Sequence, residues 1–114
     1  MFATEIPPPL ARARSKPIRS RARVQIDPKI VLDAEVMRVA PRGVSFVLPR
    51  KLEEQQSCSF DMNLFVEGSV RRLRGVGRIV SCFCAGMDGF RVAMQFTDLD
   101  EDSAAALEAL LARG

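Results

Sequence analysis

Apolar and polar residues alternate along most of the chain, and a two-residue period is that of a half-buried β-strand. The clearest segment covers residues 57–64, where Cys58, Phe60, Met62 and Leu64 share one parity and Ser, Asp and Asn occupy the other. Turn-forming residues bound each such segment. The predicted strands begin at Arg23 and then cover residues 30–39, 44–48, 57–64, 70–84 and 90–96. In the long strand 70–84 we expect the inward parity to change near Gly75 and Gly77, where missing side chains favour a bulge.

The period changes after residue 98. Acidic residues at positions 98–102 precede apolar residues spaced three and four apart, namely Ala104, Leu107, Leu110 and Leu111. Acidic side chains stabilise the positive N-terminal end of a helix, so this segment predicts a helix that ends near Gly114. About six strands at hairpin spacing followed by one helix predict a mainly β fold, a six-stranded antiparallel β-barrel with a short C-terminal α-helix.

Composition limits the function classes. With 114 residues, 47% of them apolar, the chain can form one domain without a metal or a disulfide. It contains no histidine, which excludes imidazole acid-base catalysis, Ser-His and Cys-His nucleophiles and His-containing zinc sites. We therefore expect a binding or regulatory module, with no catalytic residue, no metal and no cofactor.

The cysteines and the N-terminus suggest a place in the cell. Three cysteines are an odd number without a Cys-x-x-Cys pair, which is typical of a reducing compartment rather than of a disulfide framework. Cys82 and Cys84 have the same parity, and we expect both to be small buried groups. No apolar run is long enough to span a membrane, and the N-terminus is unlike a secretory signal. These features favour the cytoplasm.

Positive charge is concentrated at the N-terminus. Residues 1–25 contain six basic residues against Glu5 alone, a net charge of +5, whereas residues 26–114 carry −2 of the chain's total of +3. Residues 1–18 are rich in proline and poor in apolar groups, so we expect a flexible basic arm there and a barrel domain over residues 19–114. Such an arm usually meets an anion, although one that only adds solubility is also consistent with the composition.

Three segments of the sequence resemble the PilZ domain family of bacteria. Val76-Gly77-Arg78-Ile79-Val80 is similar to the family's G-x-V strand, and residues 90–100, FRVAMQFTDLD, resemble the strand that leads into its closing helix. Arg19-Ser20-Arg21-Ala22-Arg23 matches the family's R-x-x-x-R motif, which lies just before the first strand. The resemblance implies a receptor domain for the bacterial second messenger cyclic di-GMP.

The resemblance also implies a binding site and a way to signal. The implied ligand contacts are Arg19, Arg23 and Gly43, and, as further cations, Arg21, Arg38 and Arg42. Arginine suits this ligand because its guanidinium binds phosphate and stacks on guanine. An arm that becomes ordered around the ligand would change the surface offered to a partner protein.

The second motif of the family, [D/N]-x-S-x-x-G, is incomplete. The corresponding residues are 38–43, where Arg38 replaces the Asp or Asn, Ala40 replaces the Ser, and Gly43 matches. Two groups that hydrogen-bond a guanine edge are therefore absent, although Arg38 could bind guanine or phosphate instead. Gly43 is expected either as a turn glycine with an unusual backbone conformation or as a point of close ligand approach.

Two other functions are consistent with the sequence. The first is a degenerate PilZ protein that has lost the ligand and acts as a protein–protein adaptor, for example in pilus, flagellar or exopolysaccharide control. The second is nucleic-acid binding through the basic arm. The absence of Trp and Tyr argues against the second, since stacking platforms would be few.

Overall fold

The computed structural model describes residues 16–27 and 29–113. It contains six strands and a C-terminal helix α1 (Glu101–Arg113), with one turn of 3₁₀ helix at Gly86–Asp88. The strands are β1 (Lys16–Asp27), β2 (Ile30–Ala40), β3 (Gly43–Leu48), β4 (Ser57–Val66), β5 (Ser69–Cys84) and β6 (Phe90–Leu99). They form a closed barrel in the order β1-β2-β3-β6-β5-β4, in which every neighbouring pair is antiparallel. The predicted fold class is confirmed.

The inward parity of each strand fills the barrel. Alternation is complete in β4, where Cys58, Phe60, Met62 and Leu64 are all buried. At the centre the Phe60 ring contacts two other rings, with centroids 5.8 Å from Phe46 and 6.3 Å from Phe96. Aromatic rings at this spacing add to the free energy gained by burying their surface.

The position of β6 decides which outer residues become neighbours. The last strand inserts between β3 and β5, pairing Val44 with Met94 on one side and Ile79 with Met94 on the other. Outward side chains of β3, β5 and β6 therefore lie next to each other although they are distant in sequence.

Helix α1 is fixed to the barrel at its first turn. The Asp100 side chain accepts a hydrogen bond from the Ser103 amide at 2.7 Å, which satisfies one of the free N–H groups at the helix start. The Ser103 hydroxyl is buried, accepts a bond from the Arg74 amide at 2.7 Å and donates to the Arg72 carbonyl at 3.3 Å. One serine thus joins the helix to the backbone of β5.

Replacing this serine should lower stability. Ser103→Ala leaves the Arg74 amide and the Arg72 carbonyl without their side-chain partner in a part-buried place. We expect the free energy of unfolding to fall by about 1–3 kcal/mol, measured by urea denaturation. Ser69→Ala, at an exposed position at the start of β5, is the control. Equal stability of the two variants would contradict this function of Ser103.

Two details differ from the sequence prediction. β1 begins at Lys16, before the predicted start at Arg23, because Lys16 and Pro17 pair with Val39 and Arg38 of β2. Residues 1–15 of the expected arm lie outside the described residues. In β5 the bulge expected near Gly75 and Gly77 is confirmed, since the pairing with β6 shifts between Val76 and Gly77. The inward parity nevertheless persists there and changes at the second shift, between Ile79 and Ser81.

The cysteines also differ from expectation, because only one of them is buried. Cys58 lies in the core, Cys82 is partly buried, and Cys84 is exposed near the end of β5. Burial raises the pKa of the Cys58 thiol to about 11, since the thiolate cannot be hydrated there.

The unequal burial of the three cysteines predicts unequal thiol reactivity. In native protein at pH 8 we expect iodoacetamide to modify Cys84 first and Cys58 only after unfolding, because the thiolate is the reactive form. Peptide mass spectrometry over time measures each site, and the same reaction in denaturant is the control. Modification of Cys58 as fast as Cys84 in native protein would contradict the buried position.

In the part of the chain that the structure describes, no helix is long and apolar enough to cross a membrane.

Candidate ligand-binding surface

Three of the predicted site residues lie together where β2 turns into β3. Arg38 is exposed near the end of β2, and it pairs with Pro17 of β1 and Ser45 of β3. Arg42 is exposed in the turn, where its carbonyl accepts a hydrogen bond from the Phe96 amide at 2.7 Å. Gly43 begins β3, opposite Ala40 and Gln95. We refer to Arg38, Arg42 and Gly43 as the β2–β3 corner.

The strand order adds two more arginines to the outer surface that contains this corner. Arg78 of β5 and Arg91 of β6 are exposed on the outer surface. Segments 36–48, 77–84 and 90–95, which contain these residues and the corner, hold four arginines and no acidic residue. Glu35 borders this surface, because it pairs with Val47, the β3 neighbour of Arg91. We call this part of the outer surface the basic side. Its cations are Arg38, Arg42, Arg78 and Arg91.

Two polar side chains lie between the arginines. Gln95 of β6 is half-buried and pairs with Gly43 on one side and with Arg78 on the other. Ser45 of β3 is also half-buried and pairs with Arg38 and Ala93. Sequence reasoning missed Arg78, Arg91, Gln95 and Ser45 as site candidates, because no spacing along the chain indicates that β6 lies between β3 and β5.

The backbone of Arg19 lies close to the corner. The pairing of β1 with β2 shifts between Pro17, opposite Arg38, and Ser20, opposite Val36, so β1 has an extra residue there. Such a bulge turns side chains away from the regular alternation. The side chain of Arg19 lies outside the described residues.

Arg21 and Arg23 lie farther along β1, among acidic residues. Arg21 pairs with Glu35, and Arg23 pairs with Asp33 on one side and with Asp61 on the other. Both arginines are exposed on the outer surface. Arg23 is five residues along the ladder from the level of Arg38, which corresponds to about 16 Å. The structure therefore does not bring Arg23 to the β2–β3 corner.

The surroundings of Arg23 form a row of alternating charge. Asp33, Arg23, Asp61 and Arg74 follow one another across strands β2, β1, β4 and β5. Asp61 also accepts two hydrogen bonds from Arg72, at 3.0 and 2.7 Å. These bonds, together with the charges of Arg72, Arg74 and Arg23, lower the pKa of Asp61. Asp61 is therefore held as a carboxylate, which opposes the binding of an anion at Arg23.

No protein-family model matches the sequence, and no curated protein matches it. The similarity is in structure. The Bacillus subtilis inhibitor of motility MotI/DgrA superposes with a TM-score of 0.77 at 13% identity, over 87% of this chain and 48% of that one. The PilZ domain of CeSA from a cellulose-synthesizing bacterium superposes with a TM-score of 0.55 at 17% identity, over 87% of this chain and 95% of that one.

The chain has the fold of a PilZ domain. It spans about half the length of MotI/DgrA and corresponds to nearly the whole of the CeSA domain. The expected PilZ-type barrel is thereby confirmed.

In this PilZ-type barrel the expected arginine motif is not in front of the first strand. Residues 19–23 lie inside β1, which begins at Lys16. A basic pair with the same spacing, Arg12 and Lys16, ends where β1 begins. Lys16 pairs with Val39, next to Arg38, so the chain enters the barrel at the β2–β3 corner. Arg12 itself lies outside the described residues.

The structure explains why glycine occupies position 43 of this barrel, and the reason is not an unusual backbone conformation. Its φ is not among the positive values found at Gly68, Gly86 and Gly89. A Cβ at Gly43 would instead lie 2.4 Å from the Met94 carbonyl oxygen, because β3 and β6 approach closely at this point. The expectation of a left-handed turn glycine is wrong.

Proposed function

We propose that this PilZ domain is a non-catalytic regulatory module that binds cyclic di-GMP on its basic side. The observation that carries the proposal is the charge pattern, in which four exposed arginines share three strand segments without an acidic residue. No comparable excess of positive charge surrounds Arg21 and Arg23, whose strand neighbours are Glu35, Asp33 and Asp61.

The chemistry of the ligand fits such a surface. Cyclic di-GMP carries two phosphates and two guanines, and a guanidinium can bind a phosphate with two parallel hydrogen bonds or the O6 and N7 atoms of guanine. In this proposal Arg38 and Arg42 hold the ligand at the corner. Arg19 and the basic residues before β1 close over it, since the chain enters the barrel beside Arg38.

Binding becomes a signal when it changes the surface that a partner protein meets. Residues 1–15 contain Arg12 and Arg14, and residues 7–9 are prolines. In this proposal the basic residues of this segment contact the ligand, so that a partner protein meets a different surface. The proposal places this event in the cytoplasm, where it regulates motility or surface attachment.

Calorimetric titration of the purified protein with cyclic di-GMP tests the proposal. We expect heat that saturates once the basic side is occupied by ligand. Binding should weaken as the salt concentration is raised, because the ligand's phosphates are neutralised by arginines. Cyclic di-AMP is the control for base recognition. Absence of heat with cyclic di-GMP at high micromolar concentration would overturn the proposal.

A second function, as a protein–protein adaptor without ligand, is favoured by two observations. Arg38 and Ala40 replace the polar residues of the second motif, and Ala40 is fully buried. Phe65 and Val70, which pair across the β4–β5 hairpin, are 69% and 63% exposed, as apolar groups at a protein interface would be. Loss of a partner's binding on Phe65→Ser, in protein that gives no heat with cyclic di-GMP, would support this function.

A further inference from the structure

Gln95 lies on the basic side between the β2–β3 corner and Arg78. On β3 its neighbour is Gly43, which has no side chain, and on β5 its neighbour is Arg78. The flanking residues Met94 and Phe96 pack into the core, so the Gln95 side chain lies on the outer surface. Residues directly opposite each other in antiparallel strands have Cβ atoms about 5 Å apart, so Gln95 is within reach of a ligand held by Arg78 or by the corner.

The Gln95 amide has free hydrogen-bonding capacity. Within residues 16–27 and 29–113 no hydrogen bond involves its side chain, although the residue is half-buried. The neighbouring guanidinium groups can only donate hydrogen bonds, whereas an amide also accepts. A base edge that donates two hydrogens cannot be read by arginine.

The guanine ring presents such an edge. Its N1–H and 2-amino groups are donors, and they need an oxygen acceptor on the protein. The position at which the PilZ motif has Asp or Asn carries Arg38 here, and Arg38 cannot accept. Of the residues on the basic side, Gln95, Ser45 and Ser81 carry side-chain oxygens, and only Gln95 has a planar amide, whose oxygen has two lone pairs to accept two hydrogen bonds.

We propose that Gln95 is a specificity-determining residue whose Oε1 accepts hydrogen bonds from the N1–H and 2-amino groups of one guanine. In this arrangement Arg38 and Arg42 bind phosphate. The hydrogen-bond acceptor for guanine is on β6, whereas the family's motif has its Asp or Asn at the position of Arg38 on β2. The inference rests on the proposed function, because it assigns a base contact within the same site.

Two substitutions of Gln95 test whether its side chain acts as a hydrogen-bond acceptor. Gln95→Leu keeps the size and removes both polar atoms, whereas Gln95→Glu keeps the acceptor oxygen and replaces the amide donor. We expect Gln95→Leu to weaken cyclic di-GMP binding about tenfold and Gln95→Glu to remain within about threefold of the original protein. Gln25→Leu, at an exposed glutamine of β1, is the matched control and should bind like the original protein.

The outcomes distinguish this inference from the proposed function. Thermal unfolding should be unchanged in all three variants, because the Gln95 amide makes no hydrogen bond to the described residues. If the original protein binds and Gln95→Leu binds equally well, the inference fails while the proposed function stands. If Gln95→Glu loses as much affinity for cyclic di-GMP as Gln95→Leu, the Gln95 side chain is not a hydrogen-bond acceptor and the inference also fails. Failure of the original protein to bind cyclic di-GMP would remove both.

Discussion

Gly43→Ala should destabilise the barrel by about 2–3 kcal/mol, a large part of the total stability of a small domain. The added Cβ would lie 2.4 Å from the Met94 carbonyl oxygen, and that oxygen belongs to the backbone of β6. Neither strand can move freely, because β6 pairs with both β3 and β5. Urea denaturation measures the loss, and a lower melting temperature by about 10 °C should accompany it.

The control for Gly43 is a glycine with space around it. Gly68 has a φ of +81°, and a Cβ added at this position would meet no atom within 4 Å, so Gly68→Asn tests backbone conformation without crowding. We expect Gly68→Asn to cost well under 1 kcal/mol. A Gly43→Ala protein that is as stable as the original but loses ligand would show that Gly43 matters for ligand approach and not for strand packing.

Arg38→Ala and Arg42→Ala should each weaken cyclic di-GMP binding about ten- to hundredfold, because each removes charge-assisted hydrogen bonds worth about 1.5–3 kcal/mol. Arg23→Ala should change binding less than about threefold. Its neighbours Asp33 and Asp61 offset its charge, and it lies about 16 Å along the ladder from Arg38. Calorimetry on the three variants measures the difference.

Arg74→Ala is a matched control for these variants. Arg74 is exposed on β5, and its Nε lies 3.8 Å from an Asp100 carboxylate oxygen, away from the basic side. Its loss should leave binding unchanged. Abolished binding in Arg23→Ala, with no effect of Arg38→Ala and Arg42→Ala, would contradict the proposed site, since the ligand would then lie over β1 and β4.

Local patterns in the sequence were sufficient to predict the elements of this fold. The alternation at 57–64 predicts β4, and the change of period after residue 98 predicts α1, because burial of one surface follows the geometry of each element. The start of β1 is harder to predict from the sequence. Lys16 is charged and proline is rare in strands, but Lys16 and Pro17 join β1 through pairing with Val39 and Arg38.

The candidate site depends on contacts that the sequence does not encode locally. Arg38, Arg42 and Gly43 are close in the chain, and their proximity could be predicted. Gln95 and Arg78 become neighbours only because β6 lies next to β5, and their proximity to Gly43 follows from the pairing of β6 with β3. Likewise, Arg23 matches the R-x-x-x-R motif in the sequence, but only the pairing of β1 with β2 and β4 shows that Asp33 and Asp61 flank it.

The most direct test of the central claim, that the basic side binds cyclic di-GMP, is NMR mapping of backbone amides during titration. We expect the largest chemical-shift changes at residues 38–45 and 93–96, with Arg78 among the affected residues of β5. Changes at Gln25, Asp33 and Asp61 should be small. Shifts concentrated around Arg23 and Asp61, or no shifts at saturating ligand, would contradict the claim.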